Sequence, residues 1–489
     1  MGRFVFLLSR AGPLWRFLGS GLLLMVAAAT TPTASACGTD SGILIRHVRL
    51  IDFSGTEPRI DDNQSVLVRG AQIVAVAPST DLEASVGDRI VEGGGRTLVP
   101  GLVDMHVHIW DEAELGAYLA SGVTTVRNMS GMPFLLEMRD SIAVGALAGP
   151  KIFTTGPILN SRGPNAQLNH QIVETADEAR AAVQAQYDQG YRRIKVYSNL
   201  NEPAYLAILD EAARLEMPVT GHTPEGPRAR GVPQQRPFAI DFADIVDDGF
   251  ETIEHVESIV WHGLRNRHDR VAARALARHI AAQSVPVTPT LIAFANLSRI
   301  ADTRGAHLHR AGTETLNPFI GSTEMEQFAR WSSEDSSRAR EQLAFYRDFT
   351  RILSEEGVLL VVGSDAGIAT NIPGVALHDE LDLLIESGLT PYEAIRGATV
   401  NAAHVLGNGT FVGRIRPGYR ADLLLVDGDP LTQIDVLRRP VAMVVDGRLF
   451  DKGDLDDLWQ SAARTDADRT ARNVLGAMAA QGTVVEVPN

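Results

Sequence analysis

The sequence predicts an α/β fold, a (β/α)8 barrel with a small composite β domain closed by both chain ends. Three observations predict it. Eight short apolar runs rich in β-branched residues recur between residues 98 and 407, with helix-length stretches between them. Alternating runs of a different kind flank that region on both sides. Four histidines, a lysine and an aspartate stand at or near the ends of the apolar runs, where a parallel barrel presents its working groups.

In chain order, residues 1–36 read as a signal peptide. Arg3, Arg10 and Arg16 precede the apolar stretch "GLLLMVAAA", and small residues follow up to an A-x-A-like site at Ala34–Ala36. The apolar stretch falls short of the ~20 residues that span a bilayer. Cleavage removes three arginines and no acid, so the formal charge of −15 becomes −18. An uncleaved anchor or a misassigned start is the plainer alternative. Cys37, the only cysteine, follows directly, so no disulfide forms within one chain. "ASAC" is similar to a bacterial lipobox, which would make Cys37 a lipid anchor, although Ala34 stands where a leucine is usual. The expected location is therefore outside the cytoplasm, periplasmic or lipid-anchored at the cell envelope. The acidic balance gives no reason to expect nucleic-acid binding. Oligomeric state is not legible in the chain.

"GILIRHVRLID" and "SVLVRGAQIVAV" near the start, and "ADLLLVDGDP" and "VAMVVDGRLF" near the end, read as strands of one β domain over 37–97 and 408–452. Between them "GLVDMHVH", "GVTTVRN", "KIFTTGP", "RIKVYS", "PVTGHT", "TIEHV", "VPVTPTL" and "LLVVGSD" make eight strands. Eight is the number that closes a TIM-like barrel, placed here over 98–407. Thr175 and Glu178 predict a capping box with Gly190 at the far end of the helix; Thr390, Pro391 and Glu393 predict another. The stretch 224–245, rich in Pro, Gly and Arg, reads as a lid or specificity loop, or else as a surface insert. Residues 453–489 read as a helical tail without chemistry.

Side chains alternate across a strand, so Asp104, His106 and His108 share one side while Val103, Met105 and Val107 take the other. Two imidazoles on a stiff element suit a metal that wants nitrogen at ~2.0–2.1 Å. Lys195 is the odd residue, a cation inside the β-branched run "IKVY". Carbon dioxide would convert its amine to an anionic carbamate with an oxygen for each of two metals. The plainer reading is an interior lysine paired with a carboxylate, or one whose stem reaches solvent. His222 and His255 end consecutive strands and could complete a second metal's shell. Asp365 follows the eighth run, as a weak ligand and proton acceptor or as a helix N-cap. Tyr197 and His170 are candidate substrate contacts, against a packed tyrosine and a solvated loop histidine. Arg127 or Arg162 could clamp a carboxylate, and His378 reads as a helix-start residue or a support to the ligands.

This constellation resembles the amidohydrolase superfamily, in the branch of imidazolonepropionase and the Xaa-Pro dipeptidases. The motifs that carry the likeness are "PGLVDMHVH", "GVTTVRN", "IKVY", "TIEHV", "GSDAG" and "LHDELDLLIESGLTPYEAIRGATVNAAHVLG". The resemblance implies a barrel beside a composite β-sandwich, and two divalent ions, most commonly Zn2+. His106, His108 and Asp365 would hold the more buried ion, and His222 and His255 the other. Carbamylated Lys195 would bridge them. It implies hydrolysis of an amide-type C–N bond, in a dipeptide such as Xaa-Pro or an N-acyl amino acid, by a metal-bridging hydroxide with Asp365 shuttling the proton. A one-metal deaminase, a lactam or lactone hydrolase, and a non-catalytic exported binding protein are the alternatives on the same fold. Asn128 stands where relatives often have an aspartate, and "PNAQLNH" lacks their glycine pair before its histidine, His170. Both departures bear on specificity.

Overall fold

The computed structural model describes residues 41–481, apart from 165, 168, 228–237, 369, 408 and 410–411. The signal-peptide and Cys37 expectations, the centre of the 224–245 insertion and the last residues of the tail lie outside the described residues.

The two chain ends share one hydrogen-bonded sheet of eight strands. Ile43–Asp52, Arg59–Arg69 and Gln72–Pro78 run antiparallel in succession, while Arg89–Glu92 and Thr97–Pro100 pair parallel to the first. Leu423–Val426 then joins Thr97–Pro100, with Leu424 opposite Val99, and leads to Ala442–Val445 and Arg448–Asp451. Ile45, Val48, Val66, Leu98, Leu423 and Val444 form an apolar core separate from that of the barrel. Alternation made six of these strands legible, within four runs of sequence. Arg89–Glu92 is too short and polar to announce itself.

The barrel strands are Leu102–Val107, Val123–Asn128, Lys151–Thr154, Ile194–Val196, Val219–Gly221, Ile253–Glu254, Val287–Thr288 and the stretch 359–366. Neighbours are parallel throughout. Closure falls to backbone hydrogen bonds. The Gly156 N–H donates to Arg193 O at 3.0 Å between strands three and four, and Val361 donates to Val287 O at 3.0 Å between strands eight and seven. The Met105 N–H donates to Val362 O at 2.8 Å, and Asp365 to His106 O at 2.7 Å, sealing strand eight against strand one. Strand eight approaches so closely that a Cβ at Gly363 would lie 2.7 Å from His106 Cβ. Only glycine fits there.

Both expected capping boxes form, on the helices Ala176–Gln189 and Pro391–Arg396, and Gly190 ends the first with φ +101°. Two additions were not legible. Ile158–Asn160 and His170–Ile172 insert a parallel pair beside strand four. A helical excursion, Leu291–Asp302, Pro318–Thr323, Met325–Ser333 and Ser336–Glu355, separates strands seven and eight.

The tail folds back as helices Lys452–Ala462 and Ala467–Ala480. Arg469 grips the fully buried Asp111 with two hydrogen bonds, of 2.6 and 2.9 Å, just beyond the end of barrel strand one. Arg469→Ala strands that carboxylate and is expected to cost about 1–3 kcal/mol, read as a lowered urea midpoint. An unchanged midpoint would mean that the tail does not brace the barrel.

Candidate functional site

The six expected ligands converge at the C-terminal end of the barrel. His106 and Lys195 are fully buried, His108, His255 and Asp365 nearly so, and His222 is half-buried. One ligand atom from each of His106, His108 and Asp365 lies within 4.8 Å of the others. His108 Nε2 is 3.0 Å and His106 Nε2 3.4 Å from Asp365 Oδ1. Lys195 Nζ stands 3.2 Å from His106 Nε2. The His255 ring lies 4.6 Å from His106 and 4.2 Å from His222, centroid to centroid. His255 and Asp365 hold left-handed backbone, φ +67° and +54°, at the strand ends where the chain must turn sharply.

Hydrogen bonds on the far side of each ring decide which nitrogen is free. His106 Nδ1 donates to the Glu254 carboxylate at 2.8 Å, so its Nε2 keeps the lone pair. The Thr290 hydroxyl donates to Pro289 O and therefore accepts from His255 Nδ1 at 2.6 Å, which frees His255 Nε2 in the same way. His108 Nδ1 lies 2.9 Å from the Ser130 hydroxyl. His222 Nδ1 is buried with no hydrogen-bond partner among the described residues. Burial pushes the His106 and His222 rings well below the usual histidine range and His255 down to about 4, so all three are neutral at pH 7. Neutral imidazoles with lone pairs turned inward, beside a carboxylate, fit divalent cations.

Burial brings the Lys195 ammonium down to about 8. Burial alone would raise the Asp365 carboxyl. Its contact with His108 and the positive potential of His255, His108 and Lys195 instead hold it down to about 2. Asp365 is no helix cap, because the next helix is Val375–Glu386. Asp104 locks the strand that precedes it, accepting from the Ser364 N–H at 3.0 Å and the Ser364 hydroxyl at 2.5 Å.

Of the candidate substrate contacts, Tyr197 packs with tilted rings against His222 at 3.9 Å and His170 at 4.6 Å, centroid to centroid. His170 is buried, not solvated. Its Nδ1 accepts the Gln167 N–H at 3.2 Å, which leaves the proton on Nε2, and that atom has no partner among the described residues. Asn128 accepts from the Ile109 N–H at 3.0 Å and donates to Thr154 Oγ1 at 3.1 Å, which ties barrel strands together. Arg127 clamps no substrate. It is fully buried and donates to Met105 O, Thr252, Glu251 and Glu254. Arg162 is exposed beside Glu174. His378 holds Ser121 O at 2.7 Å, away from the ligands. Sequence reasoning missed Glu254, Ser130 and Thr290. Glu254 adjoins His255, but nothing local tells that it faces a histidine 148 positions away.

His108, His222, His255 and Asp365 open into a cavity of about 600 Å³. Its wall includes Trp261, Phe294, Trp331 and Tyr346, mostly from the helical excursion, and Val474 of the tail. From the insertion, Glu225 lines the cavity, and Phe238 packs edge-on against His262.

A closed parallel barrel with imidazoles, an amine and a carboxylate gathered at its strand ends defines a class, the barrel hydrolases. The chain belongs to the amidohydrolase family, whose profile matches residues 97–450. It is similar to an imidazolonepropionase of Chloroflexus aggregans, 24% identical over 413 residues, which cover 78% of this chain and 89% of the relative. An ochratoxinase of Aspergillus niger is 22% identical over 437 residues, 75% of this chain and 78% of the relative. Among solved structures, a Xaa-Pro dipeptidase with methionine bound in its active site superposes with a TM-score of 0.63 at 21% identity, covering 84% of this chain and 100% of that one. A bottromycin amidohydrolase gives 0.66 at 24% identity, covering 87% and 91%.

Proposed function

We propose that this protein is a binuclear metallohydrolase that cleaves the amide C–N bond of a dipeptide or an N-acyl amino acid. One observation carries the reading: His106 and His255 keep their lone pairs on Nε2, and His106 Nε2 lies 3.4 Å from Asp365 Oδ1 and 3.2 Å from Lys195 Nζ. His106, His108 and Asp365 would hold one ion and His222 and His255 the other, and zinc suits such donors. Bound there, the ions would supply Lewis acidity and lower the pKa of a bound water.

The chain's own groups do the rest. An amine with a pKa of about 8 is partly neutral at pH 7 and can add carbon dioxide. A nitrogen–carbon bond forms, the amine releases a proton, and Lys195 becomes an anionic carbamate placed beside His106. Asp365, ionised at neutral pH, accepts the proton of the attacking water and returns it to the departing nitrogen. Tyr197 lines the cavity and would orient the substrate, with the buried His170 packed against its ring at 4.6 Å. The aromatic wall suits a bulky apolar acyl group or side chain.

Metal analysis of the purified protein tests the reading. Two equivalents support it, one favours a single-metal deaminase, and none removes it. Protein equilibrated with 13C-bicarbonate should show a carbamate carbon signal that Lys195→Arg lacks. A panel of dipeptides, N-acyl amino acids and lactones then tests the bond type, and turnover of lactones alone would sink the amidase assignment. The reading extends to export through residues 1–36, checked by the mass of the mature N-terminus and by whether Cys37 carries lipid.

A further inference from the structure

A second cavity, of about 500 Å³, lies at the other end of the barrel, where the sheet built from the chain ends meets the starts of strands three and four. Lys151 opens strand three and Arg192 shortly precedes strand four, while Arg448 and Phe450 belong to the last strand of the sheet. Six of the lining side chains are cationic and two are carboxylates, in a chain of formal charge −15. Such a concentration runs against the whole-molecule charge.

Three of the six cations are already paired. Arg139 meets Asp140 at 2.9 Å, Arg193 meets Glu251 at 2.9 Å, and Arg420 meets Asp422 at 3.2 Å. The other three have no carboxylate partner among the described residues. Lys151 Nζ sits 5.2 Å from the Phe153 ring centre, and the Arg448 guanidinium 5.3 Å from Phe450. Arg192 stacks 4.5 Å from Tyr187 and spends donors on the carbonyls of Tyr187 and Tyr191. Burial, with the charge of Arg420 added, pushes the Lys151 ammonium down, against the opposing charges of Asp422 and Asp446. Lys151 is half-buried and Arg192 and Arg448 are exposed, so an entering anion meets three cations that stand outside any ion pair among the described residues. Guanidinium forks match phosphate oxygens two at a time. Phe153 and Phe450 give the same cavity an apolar side.

We propose that this cavity binds a phosphate monoester with an apolar body, its dianion among Lys151, Arg192 and Arg448 and its body on Phe153 and Phe450. The site is remote from the metal ligands and stands whether or not the hydrolytic reading does. Phenyl phosphate is the probe, titrated by calorimetry into the full-length, metal-loaded protein beside inorganic phosphate, benzoate and phenol. Phenyl phosphate should bind at least ten-fold more tightly than each of the others, and more weakly as salt rises. Lys151→Gln combined with Arg448→Gln should weaken it ten-fold or more, with an unchanged circular dichroism spectrum. Lys151→Arg, which keeps the charge, should retain binding. Benzoate equal to phenyl phosphate would make the ligand a carboxylate and overturn the monoester. Absent binding, binding indifferent to the double variant, or binding that follows metal content would overturn the site.

Discussion

Asp365→Asn should give a folded protein whose kcat is lower by about 10²–10⁴-fold. The amide has the size of the carboxylate, and asparagine tolerates the left-handed backbone at φ +54°. The Asp365 N–H bond to His106 O, which closes the barrel, and the Asn371 side-chain bond to Asp365 O do not involve the carboxylate. What disappears is one anionic oxygen 3.0 Å from His108 Nε2, the group that in the proposed mechanism accepts a proton during attack. Wild type and variant are compared at matched metal content, on a dipeptide or N-acyl amino acid that the wild type turns over. A loss smaller than ten-fold with both ions retained would remove Asp365 from the proton path.

Glu254→Gln should act on stability and on metal together. Glu254 lies in a buried chain of hydrogen bonds and ion pairs in which neutral His106 donates to Glu254 at 2.8 Å and Arg127 donates to Glu254 at 2.6 Å and to Glu251 at 3.1 Å. Arg193 completes it on Glu251 at 2.9 Å. Neutralising Glu254 leaves the fully buried Arg127 with a single carboxylate. Breaking such a pair costs about 3–5 kcal/mol, and the remaining partner, Glu251, places the expectation near the lower figure. Glutamine has one acceptor oxygen where the carboxylate has two. With that oxygen turned to Arg127 and Thr220, the amide NH2 faces His106 Nδ1, which loses the acceptor that fixes its tautomer. Metal affinity should therefore fall by about 10–100-fold. Urea unfolding reads the first effect and competition with a chromogenic chelator the second. If stability alone fell, Glu254 would brace the barrel without orienting His106.

The most legible part of the site was the part written in local pattern. His106 and His108 follow from strand alternation after an apolar run, and Lys195 stood out because a cation interrupts β-branched neighbours. Arg127 shows the limit. An arginine at a strand end reads equally as a substrate clamp or as a buried strut, and only the carboxylates brought to it by strand six decide. His170 shows it again, since a loop histidine among polar neighbours turns out buried, with its proton directed to Nε2 by the Gln167 N–H. The helical excursion over 291–355 was passed over because amphipathic helices announce themselves as helices, not as the wall of a cavity.

The order of residues alone determined the barrel, the two-ended sheet and which polar side chains stand at the strand ends, because period-two alternation and capping chemistry act over a few neighbouring positions. The tertiary structure decided the charge and tautomer of those side chains and which of them support the others. Those properties depend on burial and on hydrogen-bond partners a hundred or more positions away, which meet only once the cylinder has closed.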